Sequence, residues 1–290
     1  MARTTRFADG DSVGGIWLRR EDEHELGSFK WRGALRVLDA KRPAVVVTAS
    51  TGNHGAATAW AAARVGARAV VFVPERASAA KLALIEQQGA ELRRAGADMD
   101  EAKAAARAYA AEADAFFFED GAEPLQFEAY EAIGDGLLDD VPAPAAVVVP
   151  VGNGALAIGV FRAVARRAPD AERIAVAAAE APAMFESWRR GSPVDSDRSA
   201  TFADGLAVRV AIPLAVAELN ELVHRFELVS EAELEDAVRA YAEAGIRAEG
   251  AAAAPLALAR REAPPLPAVL IVTGRNIDDD LYHRILTARA

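Results

Sequence analysis

The chain has no cysteine among its 290 residues. This absence excludes disulfide bonds, thiolate metal sites and a cysteine nucleophile, and it fits a cytoplasmic protein. The sequence also lacks an apolar run long enough to span a bilayer, and its polar N-terminus lacks the apolar segment of a signal peptide. The net charge of −10 argues against a nucleic-acid-binding surface, which needs a basic stripe. We therefore expect a soluble, cytoplasmic protein that binds neither membrane nor nucleic acid.

Lysine is nearly absent as well, although 33 residues are basic. The lysines are Lys30, Lys41, Lys81 and Lys103. Lys30 stands in the segment GSFKWRGA (27–34), beside a serine, two aromatic residues and an arginine. Arginine stays protonated, whereas a desolvated lysine can lose its proton and form a Schiff base. Lys30 is therefore either a nucleophilic amine or an ordinary lysine on the first turn of a helix.

Short runs of β-branched, aromatic or alanine residues predict buried strands that alternate with alanine-rich helices. The predicted strands cover 44–50, 68–74, 115–120, 145–152, 173–180 and 268–274. Apolar strands without polar alternation, separated by helices, indicate parallel sheet covered on both faces. The predicted fold class is α/β. Ligands of such sheets bind where strands end and helices begin, and three of these junctions are unusual here.

The first junction is TASTGNHG (48–55), where a strand ends and a helix begins near Asn53 or His54. Free backbone N–H groups at a helix N-terminus, joined by the hydroxyl groups of Ser50 and Thr51, can bind a carboxylate or a phosphate. Plain helix capping is the alternative, because these residue types are good N-caps. One cap needs one such residue, so four polar groups in one turn favour an anion site.

The second junction is PVGNGALAIG (150–159), a glycine-rich turn between a strand and a helix. Its glycines let the backbone approach a ligand, and the helix N-terminus favours a phosphate. The pattern Gly152-x-Gly154-x-x-Ala157 matches a relaxed dinucleotide-binding fingerprint, with Glu180 as a candidate ribose ligand. The alternatives are a loop that holds one isolated phosphate group and a tight turn without a ligand.

The third junction is IVTGRNID (271–278), where a buried strand delivers Thr273 at its carboxyl end. One interpretation is a strand terminus followed by an Asx-type turn. The other is a hydroxyl group presented to a polar atom of a ligand.

Together, a lone lysine, an anion loop, a phosphate-sized glycine loop and a buried hydroxyl form a consistent set for pyridoxal phosphate. In this interpretation the lysine carries the aldehyde, the glycine loop binds the phosphate and the hydroxyl faces the pyridine nitrogen. The sequence resembles the fold-type II pyridoxal-phosphate enzymes, in the branch of threonine/serine dehydratases, serine racemase and threonine synthase. The segments that carry the resemblance follow the family's order: GSFKWRGA, ASTGNHG, PVGNGAL, FADGLAV (202–208), EGAAAAPLAL (249–258) and VTGRNID (272–278).

The resemblance implies a role for each matching residue. Lys30 is expected to form the Schiff base and, once released, to move the α-proton, while Thr51 takes the place of the proton-donating serine of racemases. The implied cofactor ligands are Lys30, Phe29, Asn53, Gly152, Asn153, Gly154, Ala155, Leu156, Glu249 and Thr273. The implied ligands of the substrate are Ser50, Thr51, Gly52, Asn53 and His54. A neutral Thr273 beside the pyridine nitrogen leaves that nitrogen unprotonated, which favours β-elimination over transamination.

The resemblance also implies two open, mainly parallel sheet domains with the cofactor in the cleft between them. Residues 1–39 and 123–290 are expected to form a large domain, and residues 40–122 a small inserted domain that carries the carboxylate loop. The implied activity is that of an ammonia-lyase, which eliminates water from L-threonine or L-serine to give a 2-oxo acid and ammonia. Threonine synthase-like and serine racemase-like enzymes are alternatives within the family. An NAD-dependent oxidoreductase and a non-catalytic amino-acid-binding relative are alternatives from other classes. A homodimer is expected.

The sequence departs from the family's pattern at several positions. These are the lack of a recognisable T-P-L segment in 3–12, Asn153 and Ala155 in place of glycines, Arg275 in place of a glycine, and Ala129 and Ala132 in place of a glycine and a threonine. The departures leave the choice of amino acid open.

Two glutamates raise the question of a divalent cation. Glu180 and Glu186 flank the segment APAMF, near a position where some relatives bind a cation, and carboxylate oxygens suit Mg²⁺ or Ca²⁺. Two solvated glutamates at a helix start are the alternative, and no metal is assigned.

Overall fold

A computed structural model of the chain describes residues 2–7, 15–77 and 79–288. The chain divides into a large unit, Met1–Gly27 with Phe127–Ala290, and a small unit, Ser28–Gln126. The strands are β1 (Arg3–Arg6), β2 (Ile16–Arg20), β3 (Val45–Ala49), β4 (Arg68–Val73), β5 (Glu91–Arg94), β6 (Phe116–Phe117), β7 (Ala146–Pro150), β8 (Glu172–Ala178), β9 (Arg225–Val229) and β10 (Ala268–Val272). The helices are α1 (Trp31–Lys41), α2 (Asn53–Val65), α3 (Ala79–Gln87), α4 (Met99–Glu112), α5 (Pro124–Asp140), α6 (Ala155–Arg167), α7 (Ala183–Arg190), α8 (Pro213–Leu222), α9 (Glu231–Glu243), α10 (Gly250–Arg261) and α11 (Asp279–Thr287).

The large unit contains a six-stranded sheet in the order β1-β2-β10-β7-β8-β9. β1 pairs with β2 in antiparallel orientation, and all other neighbours are parallel. β7, β8 and β10 are almost entirely buried, because helices cover both faces of a parallel sheet. The loops that follow β7 and β10 therefore leave the sheet side by side at its carboxyl edge.

Helix α10 shows why the large unit tolerates so many alanines. All residues from 250 to 259 are buried, and their small side chains let the helix lie close to the sheet. Gly250 is the tightest position, since a Cβ there would lie 2.7 Å from the Cα of Ala203. The alanine content thus serves close helix-to-sheet packing.

The small unit contains a four-stranded parallel sheet in the order β5-β4-β3-β6. Its two faces are covered by separate apolar clusters, one around Val70 and Phe72 and the other around Val71 and Val73. Alternate residues of β4 therefore serve opposite faces, as the two-residue period of a strand requires. The carboxyl ends of β3 and β6 lie side by side, and both lead into polar loops.

The predicted α/β class with two mainly parallel sheets is confirmed. The boundary between the units lies at 27/28 and 126/127, whereas the sequence analysis places it at 39/40 and 122/123. The difference arises because α1 packs against α2, with the rings of Trp31 and Trp60 5.9 Å apart. Lys30 therefore lies in the same unit as the expected carboxylate loop.

Residues 8–14, which include much of the segment without a recognisable T-P-L pattern, lie outside the described residues. Within the described ranges, no helix combines the length and the apolar character that crossing a membrane requires.

Candidate active site

Lys30 lies immediately before α1 and points its amine into the small unit. Its side chain is 15% exposed, and its Nζ lies 2.6 Å from Oδ2 of Asp120. The neighbouring Phe29 is buried, and its ring centroid lies 5.0 Å from the amine. Lys30 is therefore half-buried and contacts both a carboxylate and an aromatic ring, unlike an ordinary exposed lysine on the first turn of a helix.

Asp120 follows β6 and was not identified from the sequence. Besides Lys30, it accepts a hydrogen bond from Nε2 of Gln126 at 3.1 Å, and Nδ1 of His54 lies 3.5 Å from its Oδ1. Burial by itself raises the pKa of the Asp120 carboxyl, but the positive charge of Lys30 and the adjacent His54 outweigh burial and hold this pKa below its ordinary value. Asp120 is therefore an ionised carboxylate at neutral pH.

The loop from Ser50 to Gly52 connects β3 to α2. The N–H of Gly52 lies 3.2 Å from the hydroxyl oxygen of Ser50, which stabilises the turn itself. The helix N-terminus receives no side-chain cap, and no acidic residue occupies its first turn. Since Thr51 and Asn53 are also partly exposed, the loop offers N–H and hydroxyl donors to an incoming anion.

His54, the second residue of α2, faces inward. It is buried, its Nε2 lies 3.3 Å from the carbonyl oxygen of Phe118, and the two rings meet edge to face. Burial lowers the pKa of His54, and the charge of Lys30 acts in the same direction while Asp120 opposes it. His54 therefore packs beneath the loop and borders the Lys30–Asp120 pair.

The glycine loop follows β7 in the large unit. Gly154 has φ 95°, a left-handed conformation that favours glycine, and it directly precedes α6. A Cβ on Gly152 would lie 2.2 Å from the carbonyl oxygen of Gly205, so this position also requires glycine. Asn153 accepts a hydrogen bond from the N–H of Ala155 at 3.1 Å and so pairs the first N–H of the helix.

The first turn of α6 contains no acidic residue, and Ala155 and Leu156 are buried. Its N-terminus therefore points N–H groups and the positive end of the helix dipole out of the loop, which is an arrangement that suits a phosphate.

Thr273 follows β10, next to the glycine loop along the carboxyl edge of the large sheet. Its hydroxyl donates to Oε1 of Glu249 at 2.8 Å, and both side chains are buried. The N–H of Glu249 in turn donates to the carbonyl oxygen of Gly274 at 3.0 Å. A Cβ on Gly274 would lie 2.8 Å from the Glu249 carboxylate, so the glycine makes room for it.

The residues at which the sequence departs from the family pattern lie in different surroundings. Arg275 donates a hydrogen bond to the backbone carbonyl of Asp22, so its guanidinium is engaged within the large unit. Ala129 and Ala132 lie on α5, where Ala132 is exposed. Glu186 pairs with Arg189 at 2.5 Å. Among the described residues, no group of three or more His, Asp or Glu side chains could hold a metal ion, and Glu180 joins no such group.

The structure thus gathers the site residues expected from sequence into two sets. The small unit holds Lys30, Phe29, Ser50, Thr51, Gly52, Asn53 and His54, and the large unit holds Gly152, Asn153, Gly154, Ala155, Leu156, Glu249 and Thr273. Sequence reasoning missed Asp120 and Gln126. The signal that could have found Asp120 is its place at the end of a predicted strand, the same feature that identified the other junctions.

The chain resembles known proteins in both sequence and fold. The chain is 34% identical over 271 residues to an L-threonine ammonia-lyase of Geobacter sulfurreducens, with 91% of this chain and 67% of the relative covered. It is 32% identical over 280 residues to an L-threonine ammonia-lyase of Thermotoga maritima, with 94% and 70% covered. The solved structure of the processed form of threonine deaminase isoform 2 from Solanum lycopersicum superimposes with a TM-score of 0.89 at 26% identity, over 94% of this chain and 83% of that chain. Residues 1–274 match the family described as pyridoxal-phosphate dependent enzymes, and the chain therefore belongs to that family.

Proposed function

We propose that this protein is a pyridoxal-phosphate-dependent ammonia-lyase that removes water from L-threonine or L-serine and releases a 2-oxo acid and ammonia. The observation that carries the proposal is that the two bacterial relatives, which align with nearly the whole chain, are L-threonine ammonia-lyases. Membership of the family favours a glycine loop that binds the phosphate group of pyridoxal phosphate over a loop that binds a dinucleotide. The choice of threonine or serine rests on the relatives alone.

The donor set suits pyridoxal phosphate. Lys30 supplies a half-buried amine, and two residues before it the hydroxyl of Ser28 is buried without a hydrogen-bond partner among the described residues. The loop from Gly152 to Leu156 supplies a helix N-terminus without acidic residues, at a turn where a Cβ on Gly152 would collide with the backbone. A lysine amine and an anion-binding turn are the two features that an aldehyde with a phosphate group requires.

Each residue then has a task in the elimination. Pyridoxal phosphate, when bound, supplies the electron sink for the pair of electrons left at the α-carbon. Lys30 would hold the aldehyde carbon of the cofactor through Nζ, and its amine, when free, would take the α-proton of the substrate. The N-terminus of α2, with Ser50 and Thr51, binds the substrate carboxylate. Asn53 and His54 complete this side of the site.

Thr273 is assigned to the pyridine nitrogen. The hydroxyl of Thr273 donates to Oε1 of Glu249, so it would have to turn away from that carboxylate to donate to the cofactor. A threonine at this place supplies a neutral hydrogen-bond donor, which leaves the nitrogen without a full positive charge. The resulting weaker electron sink favours β-elimination over transamination.

A homodimer in the cytoplasm is a further part of the proposal. It is supported by the resemblance to the family and, for the compartment, by the absence of cysteine. Sedimentation at several protein concentrations measures the oligomeric state, and a monomer throughout would contradict the dimer.

The function is tested on the purified protein loaded with pyridoxal phosphate. We expect a visible absorbance band that borohydride removes, and formation of 2-oxo acid and ammonia from L-threonine or L-serine in equal amounts. Lys30→Ala is expected to lose both the band and the turnover. The matched control is Lys41→Ala, which removes a 47% exposed lysine from the far end of the same helix and should retain both.

The outcomes separate the alternatives. A loaded, coloured protein that converts no amino acid would indicate a binding relative instead of an enzyme. A wild type that interconverts serine enantiomers faster than it releases ammonia would indicate a racemase. A Lys30→Ala variant with an unchanged band would refute the assignment of the lysine.

A further inference from the structure

Asp120 is held in place by groups other than Lys30. Its Oδ1 accepts a hydrogen bond from Nε2 of Gln126 at 3.1 Å, and the amide oxygen of Gln126 accepts from the N–H of Gly121 at 2.8 Å. The Gln126 side chain is fully buried, so this bond to the backbone fixes which end of the amide faces Asp120. The side chain of Gln126 is therefore a brace that holds the Asp120 carboxylate in place independently of Lys30.

The pairing of Asp120 with Lys30 is close and partly shielded from water. Oδ2 and Nζ are 2.6 Å apart, and the two side chains are only 26% and 15% exposed. A charge-assisted hydrogen bond of this length is among the stronger polar contacts of proteins. His54 lies on the third side of the carboxylate, with its Nδ1 3.5 Å from Oδ1 of Asp120. Lys30 is thus the group that balances the charge of Asp120.

A lysine that acts as a base must return to a defined position each time the substrate frees it. When its amine takes the α-proton, the nitrogen lone pair forms the new N–H bond, and the electrons of the broken C–H bond stay with the substrate carbon. The amine becomes an ammonium in a half-buried place, where an unpaired charge is costly. A braced carboxylate within 2.6 Å of that nitrogen stabilises the ammonium and orients the amine.

We propose that Asp120 is a positioning residue for Lys30, which receives the amine whenever it is not joined to the cofactor and stabilises the ammonium that α-proton transfer produces. This inference rests on the proposed function. It adds to that function a carboxylate that acts through Lys30 and that was not among the site residues expected from the sequence.

The pairing itself is tested on the cofactor-free protein, where no turnover is needed. We expect Asp120→Asn to lower the urea midpoint of unfolding in the wild-type background. In the Lys30→Ala background the same substitution should leave the midpoint unchanged or raise it, since it then removes an unpaired carboxylate. An equal decrease in both backgrounds would mean that Asp120 stabilises the fold without acting on Lys30, and would overturn the proposal.

The role in turnover is tested on the loaded enzyme with L-threonine. Asp120→Asn is expected to lower kcat about 10- to 100-fold, a part of the 10²–10⁴-fold that a general base contributes, with little change in KM. The isotope effect on kcat with α-deuterated substrate should rise, because proton transfer becomes slower relative to the other steps. Asp120→Glu, which keeps the charge, should lose less activity than Asp120→Asn.

Two further variants are compared with Asp120→Asn, one as an intermediate case and one as a matched control. Gln126→Met removes the brace and keeps the carboxylate, so its loss of kcat should lie between those of the wild type and Asp120→Asn. Glu119→Gln removes the neighbouring carboxylate, which pairs with Lys103 and Arg107, and should leave kcat and the isotope effect unchanged. An Asp120→Asn enzyme within twofold of wild-type kcat, or with an unchanged isotope effect, would refute the positioning role.

Failure of the proposed function gives a different result. If the wild type forms no 2-oxo acid, exchange of the α-proton of amino acids in D₂O is measured in the same variants. Exchange that Asp120→Asn slows would support the role of Asp120 and refute only the elimination. A wild type without any exchange would overturn both.

Discussion

The hydrogen bond between Thr273 and Glu249 allows a quantitative prediction. Thr273→Val keeps the shape of the side chain but removes the donor from a buried carboxylate at 2.8 Å. A hydrogen bond to a charged group contributes about 1.5–3 kcal/mol, and the added methyl group of valine returns up to about 0.8 kcal/mol. The free energy of unfolding of the cofactor-free protein is therefore expected to fall by about 1–2 kcal/mol.

Urea denaturation followed by circular dichroism measures this change, with the m-value as a check that the folded and unfolded states are unaltered. A double-mutant cycle with Glu249→Met isolates the pair, because the double variant replaces both polar groups by apolar ones. We expect a coupling energy of about 1.5–3 kcal/mol. A coupling below about 0.5 kcal/mol would refute the reasoning, since that is the range in which independent sites are additive.

The same cycle tests the assignment of Thr273 to the pyridine nitrogen. If the hydroxyl leaves Glu249 for the cofactor, the coupling between the two residues should be smaller in the loaded protein than in the cofactor-free protein. An equal coupling in the two forms would place the pyridine nitrogen against another group.

Three other predictions concern single positions. Gly152→Ala is expected to weaken retention of the cofactor during dialysis, because the new Cβ would lie 2.2 Å from the carbonyl oxygen of Gly205 and relieving this clash costs about 1–3 kcal/mol. If the variant and the wild type lose the visible band at the same rate, this prediction is wrong. Burial lowers the pKa of His54, so its contribution to stability is present above the unfolded pKa of about 6.5 and is lost as the pH falls from there towards the lowered folded value. His54→Gln should therefore flatten the decrease in urea midpoint between about pH 7.5 and pH 5, and an unchanged slope would show that another group causes it. Thr51→Ser should keep elimination measurable and raise racemisation of serine, since the β-branch of threonine restricts χ1 and serine lacks it. Chiral chromatography measures the racemisation, and an unchanged rate would show that the χ1 restriction of Thr51 does not limit it.

The central strands could be read from the sequence because their surroundings are uniform. β7 and β10 are apolar runs buried on both faces, so composition alone identifies them. β2 was missed because its sequence, IWLRR, carries two arginines into the sheet. Arg19 is 5% exposed and pairs with Glu21 at 3.1 Å. A charged residue that is buried together with an ion-pair partner interrupts the apolar pattern by which a buried strand is recognised.

The site was predictable wherever a motif is local, and it was missed where two distant segments meet. The turns at Gly152 and Thr273 each lie within a few residues of a strand end. The Lys30–Asp120 pair joins residues 90 positions apart. It depends on β6 pairing with β3, and the sheet order β5-β4-β3-β6 cannot be obtained from the order of the strands in the chain. Local sequence patterns therefore identified single segments of the site, whereas the Lys30–Asp120 ion pair could be recognised only from the fold.

Asn153 has a consequence for how the protein comes to hold its cofactor. Its side chain accepts the N–H of Ala155, so this first N–H of α6 is already paired. An anion held by the glycine loop would therefore have to take its hydrogen bonds from other N–H groups of the turn, or displace the amide oxygen of Asn153. The side chain of Asn153 thus competes with any phosphate for one donor of the loop.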